Sequence, residues 1–142
     1  MKYFRNLLLV GGLALLSAGC ASGPRYTNYR AAVAPPPDGY GRIWIYRPAV
    51  HGAETQPEVK VDGQVVGRAV PRGVFHVDTP AGVHQVSAST EWKHTAIVNV
   101  PPNADTYVRL KTLPGLLLHH LVPQQVPEER ASDELTKMRI ID

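Results

Sequence analysis

The sequence predicts a mainly β fold: from Tyr40 onward, a single antiparallel β-sandwich completed by one short C-terminal α-helix. Three observations carry this. Short β-branched and aromatic runs recur at close spacing, Gly and Pro punctuate them, and a helical apolar period appears only after Pro127.

The first predicted strand is Gly41 to Arg47, where Ile43 and Ile45 point one way and Arg42, Trp44 and Tyr46 the other; Pro48 ends it. Glu58 to Val61 and Gln64 to Gly67 flank Asp62-Gly63, a pair suited to the left-handed dihedrals of a type I′ hairpin turn. A fourth run, Gly73 to Asp78, meets a fifth, Val83 to Ser89, across Thr79-Pro80-Ala81-Gly82, which reads as a tight reversal. Thr95 to Val100 and Thr106 to Leu113 make a further pair around Pro101 to Asp105. Seven strands at this spacing suggest a sandwich. The bulky run Gly115 to Val122, closed by Pro123, reads as a strand or a buried loop. The helix is expected from about 127 to 138: Pro127 takes the first helical position, Glu128 and Glu129 the first turn, Lys137 and Arg139 the last, and Ala131, Leu135 and Met138 recur at i, i+4 and i+7.

The chain opens with a different signal. Lys2 and Arg5 precede the apolar stretch Leu7 to Leu16, which is too short to span a bilayer and is interrupted by Gly11 and Gly12. Small residues at 17 to 19 lead to Cys20, the one cysteine of the 142 residues. This arrangement resembles a bacterial lipoprotein signal. The resemblance implies that residues 1–19 are removed, that the Cys20 thiol receives a diacylglyceryl group, and that the new amine is N-acylated. Several acyl chains make a stable anchor, at roughly 0.8 kcal/mol per buried CH₂. No other cofactor is expected. With Ala21 rather than Asp after the cysteine, lipoprotein sorting implies the outer membrane, facing the periplasm.

Residues 20–39 follow as lipidated cysteine and spacer. Small and polar residues end in Pro35-Pro36-Pro37, which favours an extended polyproline II segment of roughly 3.1 Å per residue and reads as a tether holding the domain off the membrane.

Composition then limits the function classes. The chain has 15 basic and 12 acidic residues; without Lys2 and Arg5 the basic count falls to 13, and residues 40–142 carry 11 of each sign. A neutral domain has no electrostatic footprint for nucleic acid. With Cys20 lipidated, no thiol remains for a disulfide, a metal or nucleophilic catalysis. About 100 residues suffice for one small core.

The order Arg42-Ile43-Trp44-Ile45-Tyr46-Arg47-Pro48, then Val59-Lys60-Val61-Asp62-Gly63-Gln64-Val65-Val66-Gly67, then Phe75 to His84 resembles a family of small bacterial lipoproteins whose domain has no assigned function, itself similar to PEGA-type β-sandwich modules. The resemblance covers roughly Tyr40 to Leu110. It implies a PEGA-like or immunoglobulin-like sandwich and no catalytic residues. Where PEGA modules carry a Pro-Gly pair before the last strand, this chain has Pro80-Ala81-Gly82.

Chemistry-bearing clusters are few. Of the six histidines (His51, His76, His84, His94, His119, His120), the adjacent His119 and His120 would face opposite ways on a strand. His76 and His84 flank one predicted reversal and would supply only two ligands, whereas zinc takes three or four. No Gly-x-Ser-x-Gly, His-Glu-x-x-His or phosphate-binding loop is present, and Asp78 with His76 or His84 lacks a strained serine nucleophile. The aromatic residues are the better clue. Arg42, Trp44 and Tyr46 share one strand face, and Trp92, Tyr107 and Arg109 are expected on neighbouring strands. Such mixed surfaces suit protein interfaces and sugar sites, but a two-layer domain this small needs its aromatics for packing, which favours reading the same face as the second side of the sandwich, capped by Leu135 and Met138.

The expected function is that of a membrane-tethered, non-enzymatic interaction module that binds another envelope protein. The alternative is a peptidoglycan or other glycan-binding module; a metal-binding protein using the histidines ranks behind both.

Overall fold

Strand β1, Tyr40–Tyr46, carries Ile43 and Ile45 on one face and Trp44 and Tyr46 on the other, and all four are fully buried. A strand that is apolar on both faces needs cover on both. The computed structural model, which describes residues 20–141, supplies it in three layers. Further strands are β2 (Glu58–Val61), β3 (Gln64–Arg68), β4 (Gly73–Pro80), β5 (Gly82–Ser89), β6 (Lys93–Val100), β7 (Asp105–Leu113), β8 (His120–Val126) and β9 (Arg139–Ile140). Two short helices, α1 (Tyr26–Ala32) and α2 (Glu128–Leu135), complete the described chain.

The first sheet has the order β8-β7-β1-β4-β9 and the second β3-β2-β5-β6. Between them lies one core, built from Ile43, Ile45, Val59, Val61, Phe75, Val86, Val98, Val108, Leu110 and Leu121. A second core fills the space between the first sheet and the helices: Tyr26, Trp44, Tyr46, Val74, Tyr107, Ala131, Leu135 and Met138. The fold is thus the expected β-sandwich, with helices over one outer face.

The Asp62-Gly63 turn has φ of 50° and 82°, the type I′ geometry its residues predict. Two other expected pairings are corrected. β4 and β5 do not form a hairpin across Pro80 to Gly82, and β6 and β7 do not pair around Pro101 to Asp105; in each case the chain changes sheet. Phe75 of β4 and Val86 and Ala88 of β5 must meet across the core, which requires the two strands on opposite sides of it. Gly82, at φ 141°, takes the corner. These crossovers also make the first sheet mixed rather than purely antiparallel, because β1 pairs in parallel with β7, and β4 with β9.

The run Gly115 to Val122 is split. Leu116 to Leu118 are exposed, and β8 begins only at His120. Pro123 does not close the strand but sits within it, opposite Leu110, on the edge of the sheet where a missing N–H costs no ladder bond. The C-terminal helix is shorter than expected: Pro127 is its N-cap, and Met138 and Arg139 lie beyond its end.

The largest correction concerns residues 20–39, expected to be a free tether. Tyr26, Tyr29 and Val33 recur at i, i+3 and i+7, an apolar stripe that seats α1 on the first sheet. Tyr26 and Tyr29 pack edge-on against the Trp44 ring at 5.0 and 6.3 Å. The Tyr26 amide donates to Met138 O (3.0 Å), and Arg30 pairs with Asp105 of β7. The folded unit therefore begins before Tyr40. The signal-peptide reading of residues 1–19 falls outside the described residues. Among the described residues, no helix is long and apolar enough to cross a membrane.

Two substitutions separate core from open surface. Trp44→Ala is expected to lower unfolding stability by about 3–5 kcal/mol, the usual cost of deleting a buried aromatic ring. Ile97→Ser, on the uncovered outer face of the second sheet, is expected to change it by no more than about 0.5 kcal/mol. Urea unfolding of the two variants measures both.

Candidate functional site

The expected aromatic and cationic surface exists as a cluster, but not as a surface. β1 aligns Arg42, Trp44 and Tyr46 on the helix-facing side, and β7 adds Tyr107 and Arg109 beside them. Trp44, Tyr46, Tyr107 and Arg42 are buried there, and Arg109 donates to the Glu134 carboxylate of α2 at 2.8 Å. Arg42 binds Asp78, its register partner on β4, through Nε (2.7 Å) and Nη2 (2.8 Å), and its guanidinium lies 5.7 Å from the Trp44 ring. The bidentate bond raises the Arg42 pKa and lowers that of Asp78. Burial pushes the phenols of Tyr26, Tyr46 and Tyr107 up, so the layer holds neutral hydroxyls. These residues fix the helices; they are not free to bind a partner. Trp92 stands apart from them, in the β5–β6 turn of the second sheet.

The histidines are also dispersed. His76 of β4 lies on the helix side, with Nε2 3.1 Å from the Tyr29 hydroxyl, whereas His84 of β5 faces the space between the sheets and contacts Thr79. They do not meet. His84 Nδ1 lies 2.5 Å from Asp62 Oδ2, and Nε2 lies 2.6 Å from Pro80 O. Two acceptors on the two ring nitrogens suit an imidazolium. His119 approaches Glu54 at 3.0 Å, while its neighbour His120 points inward. Among the described residues, no group of three or more His, Cys, Asp and Glu side chains is placed to hold a metal.

One end of the sandwich gathers what remains exposed and unusual. The strand register brings together there the C-terminal ends of β1 and β7, the starts of β4 and β8, and the β5–β6 turn. The Glu91 carboxylate in that turn accepts the backbone N–H groups of Leu116 (3.0 Å), Leu117 (2.5 Å) and Leu118 (3.0 Å), and also lies 2.9 Å from His120 Nε2. These bonds lower the Glu91 pKa despite the opposing effect of desolvation. His120 Nδ1 in turn meets His94 Nε2 at 3.0 Å, and Trp92 stacks on the His120 ring at 4.4 Å. The result is a tip whose three leucine N–H groups are held by Glu91 and whose side chains are open to solvent: Leu116 is 81% exposed, Leu117 86%, Leu118 42% and Trp92 56%. Gly115 makes room for this loop, since a Cβ there would collide with Leu118 O and the His120 ring.

Arg47, fully buried, holds the adjoining loop. Its guanidinium donates to Thr55 O (2.6 Å), Gly52 O (2.7 Å), Ala69 O (2.8 Å) and His51 O (3.1 Å), and burial lowers its pKa. The exposed Cys20 lies at this same end: the next residue, Ala21, donates to Pro71 O (3.4 Å), and Gly23 O accepts from Arg139 (2.9 Å). The sequence signal for the tip was the block Pro114-Gly115-Leu116-Leu117-Leu118, in which three leucines lack any alternation; Glu91 and His120 gave none.

No family model matches the chain. It is similar to an uncharacterized protein of Haemophilus influenzae, 23% identical over 134 residues that take in 91% of this chain and 80% of that one. Among solved structures it is similar to the N-terminal domain of AlgF from P. aeruginosa, with a TM-score of 0.43 and 20% identity over 63% of this chain and 94% of that one.

The Asp62–His84 pair gives a pH signature. Burial pulls the His84 pKa down, but the Asp62 carboxylate and Pro80 carbonyl outweigh it and the net shift is upward; Asp62 is shifted down by its bond to His84. A raised folded-state pKa stabilises fully below the unfolded histidine value of about 6.5 and loses that contribution as pH rises through the folded value. The depressed Asp62 pKa contributes above the unfolded aspartate value of about 3.9 and is lost as pH falls through the folded one. In an NMR titration His84 should titrate above the ordinary range, and Asp62→Asn should bring it down; an unmoved pKa would show the pair to be inert.

Proposed function

We propose that the chain is a lipid-anchored lipoprotein of the bacterial envelope, held by acyl groups on Cys20 at the outer membrane and facing the periplasm, and that its sandwich is a non-enzymatic module binding another envelope protein. The observation that carries the binding part is the asymmetry of cover. The helices close the outer face of the first sheet, while among the described residues nothing covers the outer face of the second sheet, which presents Val65, Val83 and Ile97 among Lys60, Gln85 and Asn99. That sheet also ends in β3, which among the described residues pairs only with β2 and has no strand neighbour on its outer edge. An edge of this kind offers backbone groups to an added strand, and alternate side chains beside it give the selectivity.

The non-enzymatic part is supported by how the candidate groups are used. His84 has acceptors on both nitrogens, and the Asp78 carboxylate is taken up by Arg42. The glycan reading now rests on Trp92 alone, because the other aromatics expected to share its surface lie in the helix-covered core.

Photo-crosslinking side chains placed at Val65 and Ile97 in cells are expected to trap one discrete protein, with a site at exposed Glu129 on α2 as the negative control. Absence of any adduct from the bare face, with the protein folded and at normal abundance, would remove the binding claim. Density fractionation is expected to place the mature protein with outer-membrane markers; recovery with the inner membrane would overturn the localisation.

A further inference from the structure

We propose that the tip formed by Leu116, Leu117, Leu118 and Trp92 is a second membrane contact, seated in the headgroup and upper acyl region of the same bilayer that holds the lipidated Cys20. This rests on the lipoprotein reading given above.

Position is the first argument. With α1 docked, only a few residues separate Cys20 from the folded unit, and Ala21 and Gly23 are themselves hydrogen-bonded to Pro71 and Arg139. Acyl chains on Cys20 therefore emerge at the end of the sandwich where the tip stands. From Pro71, two residues beyond Ala69, the path runs through Arg47, which bonds Ala69 O, His51 O and Gly52 O, to the His51 ring, which lies 5.8 Å from that of His119. An anchor at one side of this end leaves the other side facing the same surface.

Chemistry is the second. Three consecutive leucines with largely exposed side chains form a protrusion, not a groove, and a convex apolar tip suits a fluid surface better than a matched protein pocket. Their backbone N–H groups are already satisfied by Glu91, so seating the loop at the headgroup and upper acyl level strands none of these donors. Trp92 beside them has the amphipathic ring favoured at the membrane boundary.

Charge is the third. Arg68, Arg72, Lys93 and Lys111 are exposed at this end, against the carboxylates Glu54, Glu58 and Glu91, of which Glu54 and Glu91 are engaged by His119 and His120 and Glu58 lies opposite Arg68. The balance favours anionic headgroups.

The test uses the mature protein as purified from cell membranes, reconstituted in vesicles of phosphatidylethanolamine and phosphatidylglycerol, with and without lipids brominated near the headgroup end of their chains. Trp44 is sealed in the core, so quenching by bromine reads Trp92. The expected result is a blue-shifted, bromine-quenched emission that Trp92→Phe removes and that the combined Leu116→Gln, Leu117→Gln and Leu118→Gln variant returns to the level seen without bromine. Mass spectrometry of Cys20 in the same sample separates the two claims. Acylated Cys20 with Trp92 untouched by bromine and still open to aqueous acrylamide overturns the membrane contact and leaves the anchor standing, which is also the outcome if a protein is the tip's true partner. An unmodified Cys20 overturns both.

Discussion

The structure depends on the burial of β1 from both sides. Ile43 and Ile45 require a second sheet beneath them, while Trp44 and Tyr46 require cover above. Indole and phenol rings each bury on the order of 150–250 Å², so leaving that face open would forfeit a large share of the apolar burial available to so small a domain. The described chain meets the demand with α1 and α2, neither of which is long enough to be stable alone in water. Packing on Trp44 and Tyr46, and ion pairs such as Arg30–Asp105 and Arg109–Glu134, hold them in place.

That single requirement has consequences far from β1. The residues after Cys20 are drawn into the fold as cover, which turns an expected spacer into part of the domain and brings the candidate lipidation site against the sandwich. It also consumes the aromatic cluster, leaving as exposed features the bare second sheet, the β3 edge and the leucine tip. Loops and edges are where a rigid scaffold usually carries its interactions, and this chain concentrates its exposed apolar groups there.

Local structure was readable wherever a residue acts on its neighbours. Asp62-Gly63 set its turn, the alternation from Ile43 to Tyr46 set its strand, and Ala131 and Leu135 set the face of α2. Sheet membership was not readable, because a Pro-x-Gly corner between sheets and a Pro-x-Gly hairpin look alike until the cores on either side are known. The helix at Tyr26 was hidden for a related reason. Its apolar stripe is only three residues long, and its stability comes from Trp44, which lies outside any local window. The tip posed the opposite difficulty: Leu116 to Leu118 read as core by composition, and only the distant Glu91 explains why their backbone turns outward instead.

The most direct test of this account is amide hydrogen exchange across residues 21–33 of the intact protein. If α1 is part of the fold that β1 requires, the Tyr26 amide, donated to Met138 O, and the Val33 amide, donated to Tyr29 O, will exchange far more slowly than in a free chain, and Trp44→Ala will release them. Exchange at free-chain rates in this segment, with β1 still protected, would contradict it.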